Sequence, residues 1–191
     1  GGIAACGFSG LVNSVVGGVG EVALGKGAGD VLSACISAPL VEEGTKGMAV
    51  FFMFYFWRRE FDGVVDGVIY ATFAALGFAA VENILYYGRS VGGGGIGSGL
   101  VVFFLRGGMS PFAHPLFTSM TGIGAGLAAN SRNAAARPFY VLGGYALAVI
   151  LHALWNSSAS LSDGGTFLIV YAFVMVPLFA AMVTIVILQR H

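Results

Sequence analysis

Charged residues are scarce in this sequence, and their scarcity limits the class of protein. Nine basic and nine acidic residues make up only 9% of the 191 residues, whereas 57% are hydrophobic. Water-soluble domains carry roughly 25% charged residues, so the composition argues against a soluble fold. The net charge of zero also removes any case for a nucleic-acid partner, because such binding depends on an excess of basic residues.

Cysteine is also rare, with two residues in the whole chain. Cys6 and Cys35 both lie in apolar stretches and lack the spacing of a metal-binding or redox pair. We therefore interpret them as small buried hydrophobic residues.

Long apolar runs are abundant and predict an all-α fold, a polytopic bundle of transmembrane helices. A helix needs roughly 20 apolar residues to cross a bilayer. We expect about six spans, at residues 3–24, 31–57, 64–87, 111–129, 139–156 and 166–188. The second run is longer than a bilayer requires, so its helix is expected to tilt or to break at Pro39.

A glycine run interrupts the pattern after the third span. Residues 92–95 are four consecutive glycines and are expected to form a flexible loop. Residues 96–105 are apolar but too short to cross, which predicts a partial or re-entrant segment. Residues 1–191 together are interpreted as a single membrane-embedded domain.

Basic residues lie mainly at alternate connections and predict an orientation. One side carries Arg58, Arg59, Arg132, Arg137 and Arg190, and the other carries Lys26, Arg89 and Arg106. The positive-inside rule places the richer side in the cytoplasm. The C-terminus is therefore expected to be cytoplasmic.

Small residues recur at every fourth position in the third and fourth spans. The two series are Gly63, Gly67, Ala71, Ala75 and Ala79, and Thr118, Gly122 and Gly126. Such stripes allow helix backbones to approach closely in lipid. Glu82 shares the helical face of the first series, so its side chain is expected to point into the bundle.

Three ionisable residues inside the second span are the strongest sign of function. Glu42, Glu43 and Lys46 lie in an otherwise apolar run, and a charge at bilayer depth costs on the order of 3 kcal/mol. Two adjacent carboxylates in a low dielectric cannot both ionise cheaply. One of them is expected to hold a proton or to act as a general base toward water, with Lys46 as the counter-ion.

Other spans contribute polar residues at a similar depth. These residues are Glu82 and Asn83, His114 and Thr118, and His152 and Asn156. The pairs spaced four apart present both side chains on one helical face. With the orientation above, all of them fall in the outer half of the membrane, which predicts one buried site.

These residues carry a resemblance to a known family. The sequence Glu42-Glu43-Gly44-Thr45-Lys46 resembles the EExxK motif of the PrsW family of intramembrane proteases. Phe78 to Asn83 is similar to its FxxxEN motif, and the histidine motifs correspond to His114 with Thr118 and to His152 with Trp155 and Asn156. The motifs occur in the family's order and cover most of the chain.

The resemblance implies an intramembrane protease in the cytoplasmic membrane of a prokaryote. The implied partner is a membrane-anchored, single-span protein, in the known case an anti-sigma factor, cut near its extracytoplasmic face. The family also resembles the CAAX prenyl endopeptidases, in which a glutamate activates water while His and Asn stabilise the oxyanion.

The resulting hypothesis is an endopeptidase that needs no cofactor. Glu42 or Glu43 is the expected base for water, and His152 and Asn156 are the expected oxyanion donors. Glu82 and His114 would complete the catalytic set, with Lys46, Asn83 and Thr118 in supporting positions.

Two alternatives stay open at this level. In the first, Glu43, Glu82, His114 and His152 bind Zn²⁺, although the sequence has no HExxH motif. In the second, the same groups serve a non-enzymatic carrier or binding protein as a proton relay. The absence of an evident inverted repeat argues against a typical carrier.

Overall fold

All regular secondary structure in the described chain is helical. The computed structural model describes residues 2–25, 27–57, 59–160 and 164–189. The helices are α1 (Gly2–Leu24), α2 (Ala28–Leu32), α3 (Ala38–Phe56), α4 (Val64–Phe103), α5 (Ala113–Asn130), α6 (Arg137–Ser160), α7 (Gly165–Val170) and α8 (Val176–Leu188). The predicted all-α class is confirmed.

Four helical stretches of the described chain are long and apolar enough to cross a membrane. They are Gly2–Leu24, Val64–Asn130, Ala134–Ser160 and Gly165–Leu188. The run from α2 through α3 is of similar length but carries three ionisable residues in its middle. The chain is an integral membrane protein by this composition, and the number of about six spans stays a prediction.

The predicted orientation rests partly on residues that the structure does not describe. Lys26, Arg58 and Arg190 lie outside the described residues. The cytoplasmic position of the C-terminus therefore also stays a prediction.

Three π-helical segments each end two residues before a proline. The segments are Ser33–Ser37, Phe104–Met109 and Tyr171–Met175, and the prolines are Pro39, Pro111 and Pro177. Proline has no N–H and its ring clashes with the carbonyl four residues earlier, and a wider π turn relieves this crowding. The interruption expected at Pro39 takes this form.

Gly95 reverses the direction of the chain inside α4. Its φ of 75° lies in the left-handed region, which glycine adopts without steric cost. Beyond it the chain folds back, so that the hydroxyl oxygens of Ser90 and Ser98 lie 2.9 Å apart. We call residues 96–109 the returning arm, and it corresponds to the predicted re-entrant segment. The predicted loop at residues 92–95 is wrong in extent, because the helix continues through Gly94.

Glycine contacts hold α5 tightly between α4 and α6. A Cβ on Gly67 would collide with the carbonyl oxygen of Gly122, and one on Gly124 would collide with the carbonyl oxygen of Tyr140. Ala71 is fully buried in the same α4 stripe. The close approach predicted from the small residues is confirmed, and it brings the polar faces of α4, α5 and α6 together.

Candidate active site

Glu43 is the most completely bonded of the ionisable residues in the bundle. Its Oε1 accepts hydrogen bonds from Lys46 Nζ at 2.6 Å and from His152 Nδ1 at 2.9 Å. Its Oε2 accepts a hydrogen bond from the Thr118 hydroxyl at 2.8 Å. The side chain is fully buried, so Glu43 joins α3, α5 and α6 through one carboxylate.

The contact with Glu43 fixes the role of each His152 nitrogen. Because Nδ1 faces a carboxylate, we assign the ring proton to Nδ1, which leaves Nε2 as an acceptor. Phe117 stacks on the ring with a centroid separation of 5.0 Å. The inward nitrogen therefore presents a lone pair, which favours an acceptor role over the predicted donation to an oxyanion.

Glu42 directs a carboxylate oxygen, also an acceptor, toward the lone pair of His152 Nε2. Glu42 Oε2 lies 3.9 Å from His152 Nε2 and has no hydrogen-bond partner among the described residues, although it is buried. Buried polar atoms without a partner are rare in folded proteins. Two acceptors that face each other across this gap indicate a place for a group that can bind both.

His114, like His152, has a glutamate at one ring nitrogen. Its Nε2 lies 2.9 Å from Glu82 Oε2, and its Nδ1 lies 3.2 Å from Lys46 Nζ. The carboxylate contact assigns the proton to Nε2 and makes Nδ1 an acceptor. Each histidine thus has a glutamate behind it and a lone pair directed toward the interior of the cluster.

Lys46 occupies the centre of these groups. Its ammonium contacts Glu43, lies 4.0 Å from Glu42 Oε2, and lies 4.7 Å from the centroid of the Phe78 ring. Such a position fits the predicted counter-ion, and only 2% of the residue is exposed. The positive charge is held among carboxylates and an aromatic face, which offsets part of its desolvation cost.

Arg106 belongs to the same network, a role that the sequence reasoning missed. The returning arm places its Nη2 2.5 Å from Glu82 Oε2 and its Nε 2.8 Å from Asn83 Oδ1. The guanidinium also lies 4.0 Å from the Tyr86 ring centroid. The predicted re-entrant segment, which ends near Arg106, was a signal that could have indicated this contact. An arm that folds back at residue 95 returns to the level of residue 82 after about as many residues as separate 82 from 95.

Asn156 lies beside the cluster but bonds to the backbone. Its Nδ2 donates to the carbonyl oxygen of Ala34 at 2.8 Å. In the π-helical segment Ala38 N–H bonds to the carbonyl five residues earlier, at Ser33. Pro39, the next residue, has no N–H to offer the Ala34 carbonyl. Asn156 thus replaces the hydrogen bond that Pro39 cannot make.

A cavity of about 1,070 Å³ adjoins this cluster. Its described lining includes Glu42, Glu82, His152 and Asn156, together with polar residues of α1 such as Asn13. We call it the polar cavity. The unpartnered carboxylate of Glu42 is among the groups that it reaches, whereas Glu43 is not.

Three residues have ligand atoms close enough to share a metal ion. They are Glu42, His114 and His152, with atoms that lie within 4.8 Å of one another. This set differs from the one expected for the zinc alternative, because Glu43 and Glu82 stand behind the two histidines. A carboxylate on the outer nitrogen of a metal-binding histidine is the usual arrangement in such sites.

Comparisons with known proteins identify the family that this chain resembles. A family model described as "PrsW family intramembrane metalloprotease" matches residues 1–182. The Protease PrsW of Geobacillus kaustophilus (strain HTA426) is 31% identical over 129 residues, which are 68% of this chain and 52% of that protein. The Protease PrsW of Oceanobacillus iheyensis is 31% identical over 125 residues, 65% of this chain and 53% of that protein.

A shorter match is found in Clostridioides difficile (strain 630). Its Protease PrsW is 41% identical over 51 residues, which are 27% of this chain and 21% of that protein. The chain thus spans about half the length of the first two relatives. No solved structure matches this chain.

Proposed function

The chain belongs to the PrsW family of intramembrane proteases, and from this premise we propose that it is an endopeptidase that hydrolyses a peptide bond of a membrane-anchored protein. The observation that carries the proposal is the pair of facing acceptors, Glu42 Oε2 and His152 Nε2, separated by 3.9 Å at a polar cavity. Two lone pairs at this separation are suited to hold and deprotonate a water molecule or to share a cation.

Glu42 is the better candidate for the reacting carboxylate. Glu43 accepts three hydrogen bonds and is fully buried, so most of its roughly four acceptor sites are already engaged. Glu42 Oε2 is unpartnered among the described residues and borders the cavity. In a metal-free reaction Glu42 takes a proton from a water molecule while the water oxygen attacks the carbonyl carbon of the substrate. Glu42 later gives this proton to the leaving amine.

The remaining groups hold this arrangement in place. Glu43 keeps the lone pair of His152 directed inward, and Glu82 does the same for His114. The Lys46 ammonium, 4.0 Å from Glu42, can stabilise negative charge that develops on the substrate carbonyl oxygen. Asn156 borders the same cavity, and the amide hydrogen that it does not donate to Ala34 is a second donor for this oxygen.

The cluster also fits a divalent metal ion. The fit rests on the unpartnered Oε2 of Glu42 and on the two histidines, each with a carboxylate on its outer nitrogen. Glu42, His114 and His152 would hold the ion, and the Lys46 ammonium would give up its contact with His114 Nδ1. A Zn²⁺ ion bound there would act as a Lewis acid toward the substrate carbonyl and increase the acidity of water. Oxygen and nitrogen ligands of this type suit zinc.

The proposed substrate is a single-span membrane protein, by resemblance an anti-sigma factor. The support is the outer-half depth at which the polar residues fall in the sequence, together with the family's cleavage near the extracytoplasmic face. The proposal includes the cytoplasmic membrane of a prokaryote as the location and a cytoplasmic C-terminus, as the basic residues favour.

Cleavage of a reconstituted reporter tests the proposal. The full chain in proteoliposomes is incubated with a single-span reporter, and the product is identified by mass spectrometry. We expect cleavage by the unchanged protein and by Glu60→Gln, whose side chain lies at an exposed turn away from the cluster. We expect loss of cleavage in Glu42→Gln. Equal cleavage by Glu42→Gln and the unchanged protein would falsify the assignment of Glu42.

Metal analysis separates the two mechanisms. The purified protein is treated with a chelator, its zinc content is measured, and cleavage is assayed before and after zinc is restored. If Glu42, His114 and His152 hold the ion, His114→Ala should lower bound zinc, and chelation should stop cleavage reversibly. Full cleavage by metal-free protein would instead support glutamate acting alone.

A further inference from the structure

A second cavity adjoins the cluster next to the polar cavity. It has a volume of about 650 Å³, within the range of roughly 300–1,000 Å³ that is common for ligand sites. Arg106, His114, Trp155 and Ala159 line both cavities. The two spaces of different chemistry therefore meet at the cluster.

The second cavity is lined mainly by apolar side chains, and we call it the apolar cavity. Its described lining includes Ala79 and Ala113 near the cluster, Trp155 and Phe167, and Leu105 and Leu168. The two alanines are buried, at 7% and 3% exposed, whereas Leu105 and Leu168 are 39% and 55% exposed. The leucines thus mark its mouth, on the apolar surface that faces lipid in a membrane.

Most polar side chains of this cavity lie at its inner end, and Ser110, whose hydroxyl donates to the Leu105 carbonyl, lies nearer the mouth. Asn83, Arg106 and His114 contribute to the lining there, and these residues belong to the hydrogen-bonded network around Glu82. A segment that enters from lipid would first meet leucine and aromatic side chains. It would meet the charged and amide groups of the cluster where it reaches His114.

We infer that the apolar cavity is the entrance and binding site for the membrane-spanning segment of the substrate, which enters laterally from the bilayer between the returning arm and α7. The inference rests on the proposed function and specifies how the substrate reaches that site. The occupant is an apolar stretch of peptide that presents a large aliphatic or aromatic side chain to Trp155 and Phe167.

The difference in polarity between the two cavities supports an apolar peptide segment as the occupant of the apolar cavity. Peptide hydrolysis in a membrane requires water and an apolar chain to meet at one point. The polar cavity, lined by residues such as Asn13 and Glu82, supplies the route for water. The apolar cavity supplies the route for the chain, because its lining offers few partners for water.

Variants at the mouth test this entrance. Leu168→Trp and Leu105→Trp narrow the opening without altering the cluster, and Ile185→Trp is the matched control, since Ile185 is exposed on α8 and does not line the described cavities. Each protein in proteoliposomes receives two substrates with the same cleavage sequence. One is a single-span reporter and the other is a short water-soluble peptide.

The expected result is a selective loss. Cleavage of the single-span reporter should fall by about tenfold or more in Leu168→Trp and Leu105→Trp, because the indole must be displaced. Cleavage of the peptide should stay within about twofold, as should both activities of Ile185→Trp. Unchanged reporter cleavage, or equal losses on both substrates, would overturn the inference. Failure of the unchanged protein to cut either substrate would count against the proposed function.

Photo-crosslinking gives an independent measurement that does not require turnover. A benzophenone amino acid replaces Leu168 or Ile185 in the Glu42→Gln protein, which is then irradiated with the reporter. Crosslinking of the reporter from position 168 but not from position 185 supports the entrance. Crosslinking from position 168 to lipid alone would identify an acyl chain as the occupant and refute a substrate site.

Discussion

Exchanging Glu42 and Glu43 separately for glutamine should have unequal effects on stability and similar effects on catalysis. Both changes remove a negative charge and keep the size of the side chain. Glu43 accepts hydrogen bonds from Lys46, His152 and Thr118. Glu42 Oε2 accepts none from the described residues. The adjacent positions are thus a matched pair in which only the bonding differs.

The structure gives the size of the two effects. Removing one partner of a buried ion pair costs about 3–5 kcal/mol, and Lys46 is only 2% exposed, so Glu43→Gln should lower the free energy of unfolding by this amount. Glu42→Gln loses no hydrogen bond to the described residues, and its change should stay within about 1 kcal/mol. For a chain of this length, Glu43→Gln should then melt about 6–20 °C lower.

Thermal unfolding in detergent, followed by tryptophan fluorescence or by circular dichroism, measures the difference. Reporter cleavage is assayed at a temperature where both variants are folded. Both variants should be inactive, Glu42→Gln through loss of the reacting carboxylate and Glu43→Gln through loss of the orientation of His152. A Glu43→Gln protein as stable as the unchanged one, or a Glu42→Gln protein that is the less stable of the two, would refute the reasoning.

Two further changes test how the helices and the returning arm support the cluster. Gly67→Ala places a Cβ against the Gly122 carbonyl, so α4 and α5 must separate, and the free energy of unfolding should fall by about 1–3 kcal/mol. Gly88→Ala, with open space at its Cβ inside α4, should instead raise it by up to about 1 kcal/mol in the same thermal assay. Arg106→Gln removes the guanidinium from Glu82 and should lower cleavage or zinc affinity about 10–100-fold. Arg89→Gln is the control, and equal values for both arginine variants would show that Arg106 does not act through Glu82.

Residue spacing predicts much of the helical bundle. The small-residue stripes of α4 and α5 required close packing, and the contact of Gly67 with Gly122 shows it. The four-residue spacing of His152 and Asn156 also places both side chains at one cavity. Periodicity suffices here because it depends only on helix geometry.

Spacing alone cannot distinguish Glu42 from Glu43. The two side chains leave the helix about 100° apart, and their roles depend on which neighbours α5 and α6 supply. Thr118 and His152 both face Glu43, which only the tertiary arrangement reveals. The contact of Arg106 with Glu82 likewise depends on a single reversal at Gly95, whereas the sequence predicted a loop over four residues.

The buried cluster also has a consequence for the charge that the site carries. Among the described residues of the cluster, the carboxylates Glu42, Glu43 and Glu82 face two permanent cations, Lys46 and Arg106. With neutral histidines, the ionised site holds one more negative charge than positive charge. An excess charge in a low dielectric is costly, so uptake of a proton or of a metal cation by the site is favoured. Binding of a proton or of a metal cation therefore changes the net charge of the site. The charge that a substrate encounters there depends on which of the two is bound.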